Sequence, residues 1–560
     1  MAEATQDRIA APDESGRLTH NQIMLILSGL LLGMFLAALD QTIVSAAMRT
    51  IADKLNGQTN QAWATTAYLV TSTVSTPLYG KLSDMYGRKK FYLFAISIFL
   101  VGSVLSGTAH SMIELAGFRA IQGLGAGGLM ALAFAIIGDI VSPRERAKYQ
   151  GYFMAVFATS SVLGPVLGGL LAGQDSILGV DGWRWVFYVN VPIGIVALGV
   201  VTRYLNIPHI RREHRVDYLG AALLVLGVTS LLLVAEQGRS WGWGSGKAVS
   251  LYVIGALLLA GFVWVEHLVG EEAILPLKMF HSPVFSVASL LNFIIGMGMF
   301  GGIICLPLYM QIVKGFSPTR SGLSLLPLML GLMTVAMGSG IATSKTGRYK
   351  IFPIVGTGIL IVSLLGLSRI SYTTSYLNLV PLMFLVGAGL GCCMQTLVLA
   401  TQNSVPPSEM GVATASATFF RSMGGTFGTA VFLTIFFSGA TQRVGTNIQA
   451  AVQTPQFQQA LRDPANSVIA RALKAMQSGA TGQLNDTSFL QHGARVLREP
   501  FLAGFAGAMD RVFLVAALVV LPAFVLSFFL KEVKLRMESG LELQAAERRR
   551  LAEAGQGGTV

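Results

Sequence analysis

Three charges stand where charge is expensive. Asp40, Arg119 and Arg421 each lie inside long apolar sequence. A charged side chain near a bilayer centre costs roughly 2.5–3.5 kcal/mol on insertion scales, so such residues face a protein interior or water and usually carry function. A carboxylate at Asp40, well along its apolar run, could take up a proton facing one side of a membrane and release it facing the other. It could also attract a cationic substrate, or simply accept structural hydrogen bonds. Arg119 needs a partner such as a carboxylate, or an escape to the headgroups by snorkelling. Arg421, among Phe419, Phe420 and Met423, is open between structural pairing and function. Glu236 and Glu266 fall at the ends of apolar runs and read as boundary residues.

A compact charged turn is the second feature: Gly80-Lys81-Leu82-Ser83-Asp84-Met85-Tyr86-Gly87-Arg88-Lys89-Lys90. Gly80 and Gly87 allow a close helix approach and a tight turn. Asp84, at a helix end, can face the positive N-terminus of another helix, here expected near Ser408 to Gly411. Arg88 can hold Asp84, or a second acid, in a charge-assisted pair, and Asp139 is the candidate second acid. A fainter copy runs from Gly340 to Lys350. Gly340, Gly347, Arg348 and Lys350 match, and Ser344 replaces Asp84. One unit is used twice, and the two halves should be latched differently.

Rival chemistries are missing. The only Gly-Lys pair near a phosphate-loop pattern, Gly246-Lys247, has Trp241 where the first glycine belongs and Ala248 where Ser or Thr belongs. HExxH, GxSxG and a dinucleotide fingerprint are also absent. Cys305, Cys392 and Cys393 all fall in apolar runs and suggest neither a disulfide framework nor a metal site. The expectation is no enzyme and no cofactor, and no ATP-driven work within this chain.

The elements that position these residues are membrane helices. The chain is 53% hydrophobic and only 12% charged over 560 residues. Continuous apolar runs of about 20 residues can each cross a bilayer as a helix. Fourteen spans are expected, at about 23–48, 62–82, 90–109, 112–138, 149–173, 185–206, 217–235, 248–268, 284–312, 320–343, 352–370, 376–400, 412–438 and 509–530. With the N-terminus inside, the inner segments hold 23 of the 40 Lys and Arg residues and the short outer loops hold eight. That asymmetry sets the topology with both termini cytoplasmic. It also explains the net charge of +12 without nucleic acid. The first apolar run lacks a clear cleavage site and reads as a retained helix.

The expected fold is thus an all-α polytopic membrane protein, with two six-helix bundles in pseudo-two-fold relation and two helices inserted between them. Residues 1–22 form a cytoplasmic segment and 23–206 the first bundle. The inserted pair occupies 207–282 and the second bundle 283–530. A cytoplasmic tail, 531–560, is expected to be a solvated helix near anionic headgroups from Glu538 onward. The polar segment 439–508 reads as a long outer loop with short helices near 457–461 and 468–476. It would cover the outer mouth or dock an envelope partner. Paired bundles with a site between them are a secondary-transporter architecture.

The Gly80–Lys90 turn resembles the loop between helices two and three of the major facilitator superfamily. Arg119-Ala120-Ile121-Gln122-Gly123-Leu124-Gly125 resembles its motif B. Gly164-Pro165-Val166-Leu167-Gly168-Gly169 resembles motif C, the antiporter motif of its exporters, with Ser160 where a longer form has glycine. Leu39-Asp40-Gln41-Thr42-Ile43-Val44 is similar to the first-helix motif of the fourteen-helix drug:proton antiporters. Trp183-Arg184-Trp185-Val186-Phe187, with Asn190 and Pro192, also recurs there. The resemblance implies a bacterial plasma-membrane exporter that exchanges protons for lipophilic, often cationic, drugs or dyes. It also implies a coupling role for Arg119. Gly164-Pro165 permits a kink, and Ser160, Gly164 and Gly168 present a small face. Both suit a pivot or seal as well as ordinary packing. An exporter of an endogenous lipid, antibiotic or metabolite is the alternative, and a channel or non-transporting receptor is the alternative of another class.

Overall fold

The computed structural model describes residues 17–55, 57, 61–207, 217–467, 469–471, 473, 494–543 and 545–546. The first half opens with α1 (His20–Lys54), whose start is closed by a capping box. Thr19 Oγ1 accepts from the Gln22 N–H, and Gln22 Oε1 accepts from the Thr19 N–H at 2.7 Å. Two N–H groups that a helix start leaves unpaired are thereby satisfied. There follow α2 (Gln61–Tyr86), α3 (Arg88–Thr108), α4 (Met112–Ile140) and α5 (Arg146–Ala172). Next come a short antiparallel pair, β1 (Ser176–Ile177) and β2 (Val180–Asp181), then α6 (Trp185–Tyr188) and α7 (Asn190–Tyr204). The inserted helices are α8 (Tyr218–Trp241) and α9 (Gly246–Val269). The second half comprises α10 (Pro283–Ile312), α11 (Pro318–Leu323), α12 (Leu326–Thr346), α13 (Ile351–Leu367), α14 (Tyr376–Asn403), α15 (Met410–Val452), α16 (Pro455–Arg462) and α17 (Arg495–Phe529).

Among the described residues, 12 helical stretches are long and apolar enough to cross a membrane. Helix α2, diluted by Thr and Ser, and α13, apolar but only 17 residues long, take the second and eleventh places. All fourteen expected spans are therefore occupied by helices.

The internal repeat is written in the backbone. Gly87 at φ +103° and Gly347 at φ +72° both turn the chain through the left-handed region that favours glycine. Glycine ridges repeat too. Gly123 and Gly127 of α4 press on the Tyr68 and Ser72 carbonyls of α2, while Gly387 and Gly391 of α14 press on the Leu328 and Leu332 carbonyls of α12. A methyl group at Gly127 or Gly387 would run into backbone oxygen, which cannot rotate away. Gly127→Ala and Gly387→Ala should each destabilise the solubilised protein by about 1–3 kcal/mol in thermal unfolding. Gly117→Ala, with open space around it, should be neutral or slightly stabilising.

In the first bundle α1 packs on α5 and α7, α2 on α4, and α3 on α4 and α7. In the second, α10 packs on α15 and α17, α12 on α14, and α13 on α14 and α17. Across the seam, α15 lies against α2 and α4, and α12 against α5. Helix α8 packs on α9 and touches both α2 and α15. Val70 and Val74, Leu224 and Val228, and Val412 and Phe419 share one apolar cluster there. The inserted pair braces the seam.

Two sequence expectations need correction. The polar segment 439–508 is not a loop along its whole length. Helix α15 continues to Val452 and α17 already begins at Arg495, because Val444 and Ile448 share an apolar core with Leu497, Phe501 and Phe505. Asn447 Nδ2 also donates to the Pro500 carbonyl at 3.2 Å. Phe457–Leu461 is helical as expected, within α16. Most of 468–476 lies outside the described residues.

The tail is the second correction. Its described part does not float beside lipid but lies across both bundles. Tyr349 Oη donates to the Lys531 carbonyl at 3.1 Å, and Arg536 Nη2 to the Val405 carbonyl at 2.7 Å. Leu535 and Leu541 are buried. Gly540 then reaches the Asp139 backbone, and Glu542 pairs with Arg17 at 2.6 Å. Burial alone would raise the Glu542 carboxyl, but the Ser539 N–H and Arg17 outweigh it and hold the group below its usual range. The Arg548–Arg550 run lies outside the described residues.

Candidate functional site

The structure brings Asp40 and Arg119 together as a buried ion pair between α1 and α4. Asp40 is 0% exposed and Arg119 2%. The other carboxylate oxygen, Oδ1, accepts from Gln122 Nε2 at 2.8 Å and from Asn190 Nδ2 at 2.9 Å. Arg119 Nη1 also donates to Gln122 Oε1 at 2.8 Å, and its guanidinium lies 4.0 Å from the Tyr68 ring centroid. Asn190 is held by Ser103 Oγ at 3.0 Å, which in turn donates to the Phe187 carbonyl at 2.8 Å. Helices α4 and α7 thus supply three partners to one carboxylate of α1, and α2, α3 and α6 back them. The charge is matched and its acceptors are filled, the condition under which a buried pair is tolerated. Arg119 does not snorkel. Neutralising either member would leave the other buried without its counter-charge.

The charged turn forms a second cluster at the far end of α4. Arg88 sits between two acids: it pairs with Asp84 and its Nε reaches Asp139 Oδ2 at 2.7 Å, while Nη1 donates to Ser83 Oγ at 2.6 Å. Asp84 Oδ2 accepts from the Val412 N–H at 2.9 Å, in the first turn of α15. The first bundle's acid thereby caps a helix of the second bundle. Gly80 makes the approach feasible, since a side chain there would meet Ala415 and the Gly411 carbonyl. Gly411 is equally constrained, by Arg88 and Asp84.

The second copy of the turn is held differently. Ser344 and Lys345 offer backbone carbonyls from the last turn of α12. Arg144 donates to them across the seam, at 2.7 Å from Nε and 3.4 Å from Nη2. A helix C-terminus attracts a cation as an N-terminus attracts an anion, so the two contacts are electrical opposites.

Motif C divides between the bundles. Gly164 and Gly168 lie against Thr42 and Ile43 of α1, and Thr42 Oγ1 donates to the Ser160 carbonyl at 2.9 Å. Pro165 faces Gly322 of α11, and Gly169 faces Thr319, both in the second bundle. The small face seats α5 on its own bundle, and the residues beside it touch the other.

Sequence reasoning missed several members. Gln122 and Asn190 lay inside quoted motifs but carried no charge to mark them. Arg146 read as an ordinary topology charge. It is 1% exposed, donates to the Val141 carbonyl at 3.0 Å, and bonds Gln402 across the seam. Gln402 then donates to the Phe134 carbonyl at 3.1 Å and to Thr414 Oγ1 at 2.9 Å. Glu266 is no boundary residue. It is buried and accepts from the Ile274 and Leu275 N–H groups at 3.0 and 3.1 Å, pinning the turn after α9. Glu236 is partly buried near the end of α8, and no partner for it is present among the described residues. Arg421 stands apart from both clusters.

Known proteins place this geometry. The family described as Major Facilitator Superfamily matches residues 30–429. The chain is 33% identical to the multidrug transporter protein MdtP of Bacillus subtilis, covering 94% of this chain and 96% of that protein. It is 36% identical to multidrug resistance protein 3 of Bacillus subtilis over 81% of this chain and 90% of that one. An uncharacterized MFS-type transporter of Mycobacterium tuberculosis is 36% identical over 91% of this chain and 70% of its own length. Among solved structures, the proton:xylose symporter XylE superposes with TM-score 0.56 at 15% identity, over 94% of this chain and all of that one. A bacterial homolog of the human lysosomal transporter Spinster superposes with TM-score 0.56 at 17% identity, over 92% and 98%. At such identities the last two speak for the fold alone.

Proposed function

This chain belongs to the major facilitator superfamily, and from that premise we propose that it is a proton-coupled exporter of lipophilic drugs working by alternating access. The observation that carries the reading is the buried Asp40–Arg119 pair, in a chain that resembles two multidrug proteins along most of its length. In this reading the turn-bearing end faces the cytoplasm, as the excess of Lys and Arg there favours. A proton entering from outside neutralises Asp40 and releases Arg119. The motif C contacts loosen, and the bundles rock about the seam. Release of the proton inside re-forms the pair. The membrane potential contributes about 2.3 kcal/mol per charge per 100 mV, enough for one or more protons to drive uphill export. A cationic preference would need a free carboxylate, and here Arg119 already occupies Asp40, so a cation would compete with an internal partner.

Everted vesicles energised by respiration test the proposal. Dyes of cationic, neutral and anionic type should accumulate inside, and an uncoupler should stop the accumulation. Flux unchanged by the uncoupler would overturn the coupling and favour a channel. Coupled flux restricted to an endogenous lipid or metabolite would replace the substrate class.

A further inference from the structure

Arg421 of α15 is 9% exposed and has neither a hydrogen bond nor an ion pair among the described residues. The structural pairing that could have explained it is absent. An unpaired buried cation in a membrane helix is unfavourable and marks a site awaiting an anion. We propose that Arg421 anchors the carboxylate of an amphiphilic substrate in the space between the bundles. The inference rests on reading the chain as an exporter.

Two observations place the residue there. Arg421 lies eleven residues beyond Met410, the first residue of α15, so about 16 Å along the helix and close to the middle of a ~30 Å apolar layer. Carriers of this architecture bind substrate at that depth. Eleven residues are also almost three whole turns, so Arg421 shares a face with Met410. Met410 lies against Gly138 and Arg146 of the opposite bundle. Thr414, on the same face, reaches that bundle through Gln402 and the Phe134 carbonyl.

The planar fork of a guanidinium matches a carboxylate. Phe420, Met423 and Phe427, on other faces of α15, are only partly buried. In the first bundle the Asp40 charge is cancelled by Arg119. Of these two membrane-buried charges only Arg421 lacks a counter-charge among the described residues, and a guanidinium selects an acid.

Matched dyes give the test: rhodamine B, with a free carboxylate, and its methyl ester. Binding is read by fluorescence polarisation on the purified full chain in detergent. The wild type should prefer the acid at least tenfold. Arg421→Gln should weaken the acid tenfold or more and leave the ester within about twofold, and Arg421→Lys should keep most of the preference. Equal loss for both dyes, or loss for neither, would overturn the proposal. So would displacement of the acid by phosphatidylglycerol, which would make the site a lipid site. If Arg421→Gln does not fold, absence of an acid preference in the wild type, or its loss in Arg421→Lys, decides against the proposal. Binding needs no gradient. A preserved preference without export faults only the efflux reading, and preserved export without a preference faults only this one.

Discussion

Asp40→Asn should reduce uncoupler-sensitive dye accumulation to background, a loss of at least tenfold, and should also destabilise the protein. The first effect follows, on the proposed mechanism, from removing the carboxylate of the Asp40 cluster. The second follows from the pairing. Asparagine presents an amide where Arg119 has a carboxylate, and the guanidinium is left as a buried cation with no counter-charge. Breaking a buried pair from one side costs about 3–5 kcal/mol. The single variant therefore confuses coupling with stability, and the double variant Asp40→Asn/Arg119→Gln separates them. With both charges gone, most of the lost stability should return in thermal unfolding, because two amides can bond each other and Gln122. Coupling should not return. Uphill accumulation at the wild-type rate in Asp40→Asn, or its recovery in the double variant, would remove Asp40 from the coupling step. Downhill flux in the same vesicles reports that the carrier still moves.

What could be read from the sequence divides along a physical line. Asp40, Arg119, Asp84 and Asp139 were legible because an ionised group in or beside apolar sequence must have a reason to be there. The turn's target near Ser408 to Gly411 was legible because an acid at one helix end needs a helix start, and Asp84 in fact caps one residue further on, at Val412. Gln122, Asn190, Ser103 and Tyr68 were not legible as a set. Uncharged polar residues are common in such helices, and only tertiary packing turns Gln122 and Asn190 onto one carboxylate, with Ser103 behind Asn190 and Tyr68 against Arg119. Arg146 looked like Arg144, since burial distinguishes the two and composition does not. The outer segment misled for a related reason. Beyond the apolar layer a helix needs no continuous apolar run, so the stripe of Val444 and Ile448 was hidden in polar sequence. The place of α8 and α9 had no signal at all, because the repeat that ordered the other helices has no copy of them.

Asp84→Asn should tilt the carrier toward the state open at the turn-bearing end. In the present arrangement Asp84 binds Arg88 within its own bundle and the Val412 N–H of the other, so it is worth most when that end is closed. Asparagine keeps the shape but loses the charge that the α15 start and Arg88 both favour. A carboxylate at a partly buried helix N-terminus contributes up to about 2 kcal/mol, and each 1.4 kcal/mol is tenfold in an equilibrium, so a shift of about tenfold is expected. Gly411→Ala should move the balance the same way without removing a charge, because its methyl group would intrude on Arg88 and Asp84. Spin labels on Tyr86 and Lys345, exposed residues at this end of the two bundles, would report the change as a longer distance population. The three native cysteines are buried, which favours selective labelling. Distributions unchanged in both variants would reduce the turn to a topology signal. A shift in both, with the Asp40 cluster untouched, would give α4 a mechanical meaning. Arg119 and Asp139 lie twenty residues apart on it, about 30 Å along one rigid helix, so an event at the coupling carboxylate and an event at the latch are two ends of the same rod.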